Sequence, residues 1–224
     1  MKMKPSLLIN QPGRHGDIIV GLPISMWYSR DFCVDWFCPE EYHLNFRNIP
    51  YCKPVSVQNR KYDAVIDLSF GLRQDSDLHK WWVNTRDGWA SFIVAKYYLA
   101  KVPLKERWNL IWERDIYREK ALLEIVTKQY GTDFTVCHEK THDGTYVSMD
   151  VPNKVPFSPI RDFNIFDWYL VLQEAGEIHC IDSVLCNFVE VLPEFVIKKK
   201  VYYKAPRNQW SWNNTILTNN WIEK

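Results

Sequence analysis

The stretch GRHGD, Gly13 to Asp17, sets two glycines, two basic side chains and one acid within one turn of chain. Glycines there allow close approach to the backbone, and Arg14 and His15 add hydrogen-bond donors. The apolar run Leu7–Ile9 precedes this stretch, and Ile18, Ile19, Leu22 and Ile24 follow it at helical spacing. The turn therefore joins a buried strand to a helix N-terminus, a setting that favours negative charge such as a phosphate. Gly13, Gly16 and Gly21 have the wrong intervals for GxGxxG, and GxxxxGK[ST] is absent, so an ATP or nicotinamide site lacks support. A glycine-containing turn with Asp17 stabilised by the helix dipole accounts for the same residues without any ligand.

A second candidate is IHCIDS, residues 178–183. Asp182 ends a short apolar strand and Ser183 opens the next helix, where its hydroxyl and the free amides suit a diphosphate. Asp182 suits a ribose or sugar hydroxyl. A plain helix cap by Ser183 is the simpler alternative. Asp75 and Asp77 form a DxD, the pattern by which two carboxylates hold a divalent ion against a donor diphosphate. It stands displaced from the strand end before it, and a solvated loop is the preferred reading. Residues 196–210 interleave Lys198, Lys199, Lys200, Lys204 and Arg207 with Tyr202, Tyr203 and Trp210, a mixture able to stack bases and hold phosphates.

Composition limits these choices. A formal net charge of +1 over 224 residues gives no global field for a polyanion, which weighs against nucleic-acid binding as the main function. No apolar window is long enough for a membrane span, and MKMKPSLLINQP lacks the pattern of a signal peptide, so a cytoplasmic location is expected. The six cysteines form no CxxC pair and sit mostly in apolar runs, as buried free thiols do.

The elements that position these residues alternate. Leu7–Gln11, Cys33–Cys38 and Tyr62–Ser69 read as strands, with helices over Asp17–Ser29, Glu40–Asn48 and Ser91–Leu99. The clearest helix is Glu113–Gln129, with acids early, Lys128 late and Gly131 just past its end. A second set follows: strands Phe134–His138 and Glu177–Asp182, and helices Phe163–Ala175 and Ser183–Leu192. Two small α/β halves with parallel sheets are predicted, over residues 1–112 and 113–205, with 206–224 packing back on the first.

GRHGDIIVGLPIS resembles the N-terminal motif of the heptosyltransferase-like glycosyltransferases, including their smaller bacterial and phage relatives. GEIHCIDSVLCNFVEVL is similar to the C-terminal signature of that family, a strand ending in Asp followed by Ser or Thr at a helix start. The two stretches cover 30 residues, and Val184 stands where the family has glycine. The resemblance implies a GT-B architecture, two Rossmann-like halves facing a cleft, with the acceptor on the N-terminal side and a nucleotide-sugar donor on the C-terminal side. It implies no cofactor beyond the donor and no obligatory metal. Asp17 becomes the general base on the acceptor hydroxyl, with Gly13, Arg14, His15 and Gly16 as its acceptor or phosphate loop. The acceptor hydroxyl belongs to a glycan, a lipid-linked saccharide or a modified DNA base.

By the same resemblance, the loop CHEKTHDG lies where the family keeps basic and hydroxyl groups near the donor phosphates. Lys140 is then the best phosphate partner, with Thr141 and His138 behind it, while Glu139 takes a sugar or ribose hydroxyl. A solvated polar hairpin is the competing reading, and His138, Glu139 and His142 are too loosely spaced to favour a metal. Two other functions remain open at this point: a nucleic-acid-associated protein, and a fold that binds sugar nucleotide without turnover.

Overall fold

The computed structural model describes residues 4–58, 60–69, 92–140, 144–158, 160, 162–203 and 220–224. The chain divides into two compact units, Met1–Glu113 and Arg114–Lys224.

The first unit contains strands β1 (Ser6–Asn10), β2 (Cys33–Phe37), β3 (Lys53–Val55) and β4 (Ala64–Asp67). Among the described residues they form a parallel sheet in the order β3-β2-β1-β4. Helix α1 (His15–Ser29) connects β1 to β2, and the helix expected over Glu40–Asn48 is a 3-10 turn over Glu40–Phe46. Helix α2 (Phe92–Leu99) follows β4 in the chain. Ile18 to Ser25 of α1 are all buried, so this helix presents no polar face over that length. Gly21 permits the contact: a Cβ there would lie 2.5 Å from Cη2 of Trp36 on β2.

The second unit opens with α3 (Ile116–Tyr130). Its first turn is set by Asp115, whose carboxylate accepts the Arg118 N–H at 3.1 Å, and Gly131 leaves it with φ +84°. Strands β5 (Thr135–His138), β6 (Lys154–Pro156), β7 (Glu177–Ile181), β8 (Lys199–Tyr203) and β9 (Trp221–Glu223) form a parallel sheet in the order β6-β5-β7-β8-β9. Helices α4 (Tyr169–Glu174) and α5 (Val184–Glu190) are shorter than the sequence suggested. Asn164 is the reason at the start of the first: its Oδ1 accepts the Phe166 and Asp167 N–H groups, and a 3-10 turn over Phe166–Trp168 intervenes.

Trp221–Glu223, the described part of the C-terminal segment, pairs with β8 in the sheet of the second unit, and the Trp221 indole N–H donates to Glu190 at 2.7 Å. Residues 204–219 lie outside the described residues. Of the described lysines in the basic run, Lys200 is fully buried and donates to the Phe195 carbonyl, exposed Lys199 pairs with Glu177, and Lys198 donates to the Ala175 carbonyl. Strand alternation turns Lys200 in and Lys199 out.

Candidate functional site

In open parallel sheets, ligands gather beyond the carboxyl ends of the strands, at the point where strand order reverses. In the first unit that point lies between β1 and β4. Their last residues, Asn10 and Asp67, are register partners, and the Asn10 amide donates to Asp67 Oδ1 at 3.1 Å. Ser69 adds its N–H at 3.0 Å and its hydroxyl to the same oxygen.

The GRHGD turn closes over this end. Arg14 is the N-cap of α1, and Asp17 in the first turn accepts the Arg14 N–H on Oδ2 at 3.2 Å. The other oxygen, Oδ1, lies 3.0 Å from the ammonium of Lys96 on α2, which also donates to the Leu68 carbonyl at 3.2 Å. Gly13 makes room for the carboxylate, since a Cβ there would sit 2.6 Å from its Cγ and Oδ2. Burial pulls the Lys96 ammonium below its ordinary range, against the opposing pull of Asp17 first and Asp67 after it. His15 in the same turn is partly buried. Burial lowers its pKa, its Nδ1 meets the Asn45 amide at 2.8 Å, and its ring stands edge-on to Tyr42. Its imidazole is a neutral, fixed group, and Arg14 is the exposed cation of the turn.

Sequence reasoning missed Lys96. The signal was present: Ile93, Lys96, Tyr97 and Ala100 recur at helical spacing and all are buried, so the lysine stands on the inward stripe of an apolar helix. A charge in that position needs a partner, and Asp17 is it.

In the second unit the order reverses between β5 and β7. His138 ends β5 opposite Cys180 in register, so the two share one face of the sheet. Cys180 in turn meets Cys186 of α5, whose N-cap is Ser183. His138 and Ser183 thus stand at the same end and on the same side. Both carry a buried polar atom with no partner among the described residues: His138 Nδ1 and Ser183 Oγ. Ser183 is the N-cap residue of α5, and its hydroxyl makes no cap bond. Burial lowers the His138 pKa to about 4, opposed by a backbone hydrogen bond with Lys140, so the ring is neutral. Its ring edge packs on Phe157 at 5.1 Å between centroids.

The loop after β5 is a hairpin. Val147 N–H donates to the Glu139 carbonyl at 2.9 Å, and Lys140 bridges to Tyr146 with its side chain exposed. Glu139 Oε1 accepts from the Met149 N–H at 2.6 Å and from Lys154 at 2.8 Å, so this carboxylate fastens the hairpin to the unit. Asp182 is buried beside Tyr202 and Cys186, and its charge helps hold both of their pKa values up. Thr141, His142, Asp75 and Asp77 lie outside the described residues. Among the described residues, no three His, Cys, Asp or Glu side chains are grouped to hold a metal ion. None of the described helices is long and apolar enough to cross a membrane.

No family model and no characterised protein sequence matches the chain. Solved structures do. The chain resembles a glycosyl transferase family 9 protein from Veillonella parvula DSM 2008 at TM-score 0.63 and 11% identity, over 100% of this chain and 88% of that one. It resembles E. coli heptosyltransferase WaaC with ADP at TM-score 0.53 and 12% identity, over 98% and 90% of the two chains. WaaC with ADP-2-deoxy-2-fluoro heptose gives TM-score 0.52 and 13% identity, over 98% and 92%. The likeness is one of fold. Two α/β units with parallel sheets are the architecture of these GT-B glycosyltransferases.

Proposed function

We propose that this chain is a glycosyltransferase that moves a sugar from a nucleotide-sugar donor to an acceptor hydroxyl without a metal. The observation that carries the reading is Asp17, a half-buried carboxylate fixed through both oxygens where strand order reverses in the first unit. As general base it takes the proton of the acceptor hydroxyl while that oxygen attacks the anomeric carbon and the bond to the diphosphate breaks. The departing nucleoside diphosphate gains charge, which Lys140 offsets from the second unit. Asp182, Ser183 and neutral His138 serve the donor's hydroxyl and amine groups, Ser183 Oγ and His138 Nδ1 being among the buried polar atoms without a partner among the described residues. Glu139 Oε1 fastens the hairpin, which leaves Oε2 for a sugar or ribose hydroxyl. Thr141 remains assigned to the donor phosphates by its place in the loop alone. Gly13 and Gly16 shape the turn, and Arg14 and His15 face the acceptor.

The donor class is supported by the fold's likeness to WaaC solved with ADP and with a fluorinated ADP-heptose. The test is release of nucleoside diphosphate from ADP-, GDP- and UDP-sugars in excess EDTA. Turnover that persists supports the reading. Loss in EDTA with recovery on adding manganese would refute metal independence and return attention to Asp75 and Asp77.

A further inference from the structure

We propose that Lys96 is a positioning residue for Asp17, an inference that rests on the glycosyltransferase reading above. The Lys96 side chain is 2% exposed, and its ammonium stands 3.0 Å from Asp17 Oδ1 and 3.2 Å from the Leu68 carbonyl. Asp67 adds a second negative charge nearby, and that carboxylate is held by Asn10 and by the N–H and hydroxyl of Ser69. Two sets of polar contacts therefore lie at the carboxyl ends of β1 and β4, Asn10 and Ser69 on Asp67, and Lys96 on Asp17, with the charge of Asp67 felt at Lys96.

Packing alone does not call for this ammonium. Ile93, Tyr97 and Ala100 make the rest of the buried stripe apolar, and an apolar residue of similar length would fill the place without the desolvation cost of a charge. What the ammonium adds is geometry. Asp17 Oδ2 is held by the Arg14 N–H and Oδ1 by Lys96, so the plane of the carboxylate is set while a third of the side chain, 32%, faces solvent. A base held in one orientation avoids the rate loss that follows misplacement of a reacting group.

The test uses the full chain, with ADP-, GDP- and UDP-hexoses as donors, water as acceptor and nucleoside diphosphate release as the readout. Lys96→Met is expected to lower kcat about ten- to a hundredfold while the donor KM changes by less than about twofold. In an Asp17→Asn background the same substitution costs no further turnover, because the group it orients is already gone. Urea unfolding of each protein ensures that rates refer to folded chains, and Lys96→Gln replaces Lys96→Met if the latter does not fold. A folded Lys96 variant with wild-type kcat, or one whose loss repeats in full on top of Asp17→Asn, overturns the inference. Wild-type turnover in Asp17→Asn, or no release by the wild-type chain from any of these donors, overturns the reading beneath it instead.

Discussion

Gly13→Ala is the substitution that most directly challenges the geometry at Asp17. The added methyl would stand 2.6 Å from Cγ and Oδ2 of Asp17, where ordinary contact begins at 3.4 Å. The carboxylate must retreat by about 0.8 Å, a displacement on the scale at which misplacing a reacting group costs about a hundredfold in rate. The same retreat weakens the bond from the Arg14 N–H, a cap interaction worth about 1 kcal/mol. Gly13 has no left-handed backbone angle, so the effect is steric and local to the carboxylate. The expected result is a folded protein, destabilised by about 1 kcal/mol in urea, with kcat for nucleotide-sugar turnover reduced about ten- to a hundredfold. Donor affinity by calorimetry should be unchanged. A folded Gly13→Ala protein with wild-type kcat would refute the claim that the position of this carboxylate matters to the chemistry.

Two further predictions concern the second unit. Burial holds folded His138 at about 4 against 6.5 in the unfolded chain, so the unfolded chain takes up the proton first as pH falls. Stability is then complete above pH 6.5 and declines as the pH falls towards 4, by about 3 kcal/mol in all. His138→Phe should flatten that decline in urea midpoints measured between about pH 7 and about pH 4.5, and a variant with the wild-type slope would contradict the assignment. Lys140→Ala should weaken nucleoside diphosphate binding about tenfold, while Lys199→Ala, which breaks a 2.5 Å pair with Glu177, should leave it alone. Equal losses in both, with steep salt dependence, would favour a diffuse polyanion surface instead.

Local signals made the elements of the two units readable. Leu7–Ile9 and Phe134–Cys137 lie in strand-length stretches rich in apolar and β-branched residues, and Asp115 and Gly131 bracket α3 by cap chemistry that sequence displays openly. Strand order was not readable, because nothing in β5 or β7 alone specifies that His138 will pair with Cys180 and bring Ser183 to the same end. Residues 40–46 and 166–168 have helical apolar spacing yet form 3-10 turns, a distinction of about half a residue per turn that hydrophobic pattern does not resolve. Lys198–Lys200 looked like a basic surface because composition ignores alternation, while the strand buries one of the three completely. At the site, Asp17 was legible from its turn and its resemblance. Lys96 was legible only as a charge on an apolar stripe, since its partner Asp17 is remote in the chain.

Asp17→Asn, with donor binding and turnover measured on the same folded protein, addresses the central claim most directly. The substitution keeps the size of the side chain and its capacity to accept the Arg14 N–H, while removing the charge that takes a proton. The account predicts turnover lowered on the order of a hundredfold or more, the usual scale for a general base, with calorimetric donor affinity nearly unchanged. Normal turnover in folded Asp17→Asn would contradict the account and reduce Asp17 to a helix-end acid paired with a buried lysine.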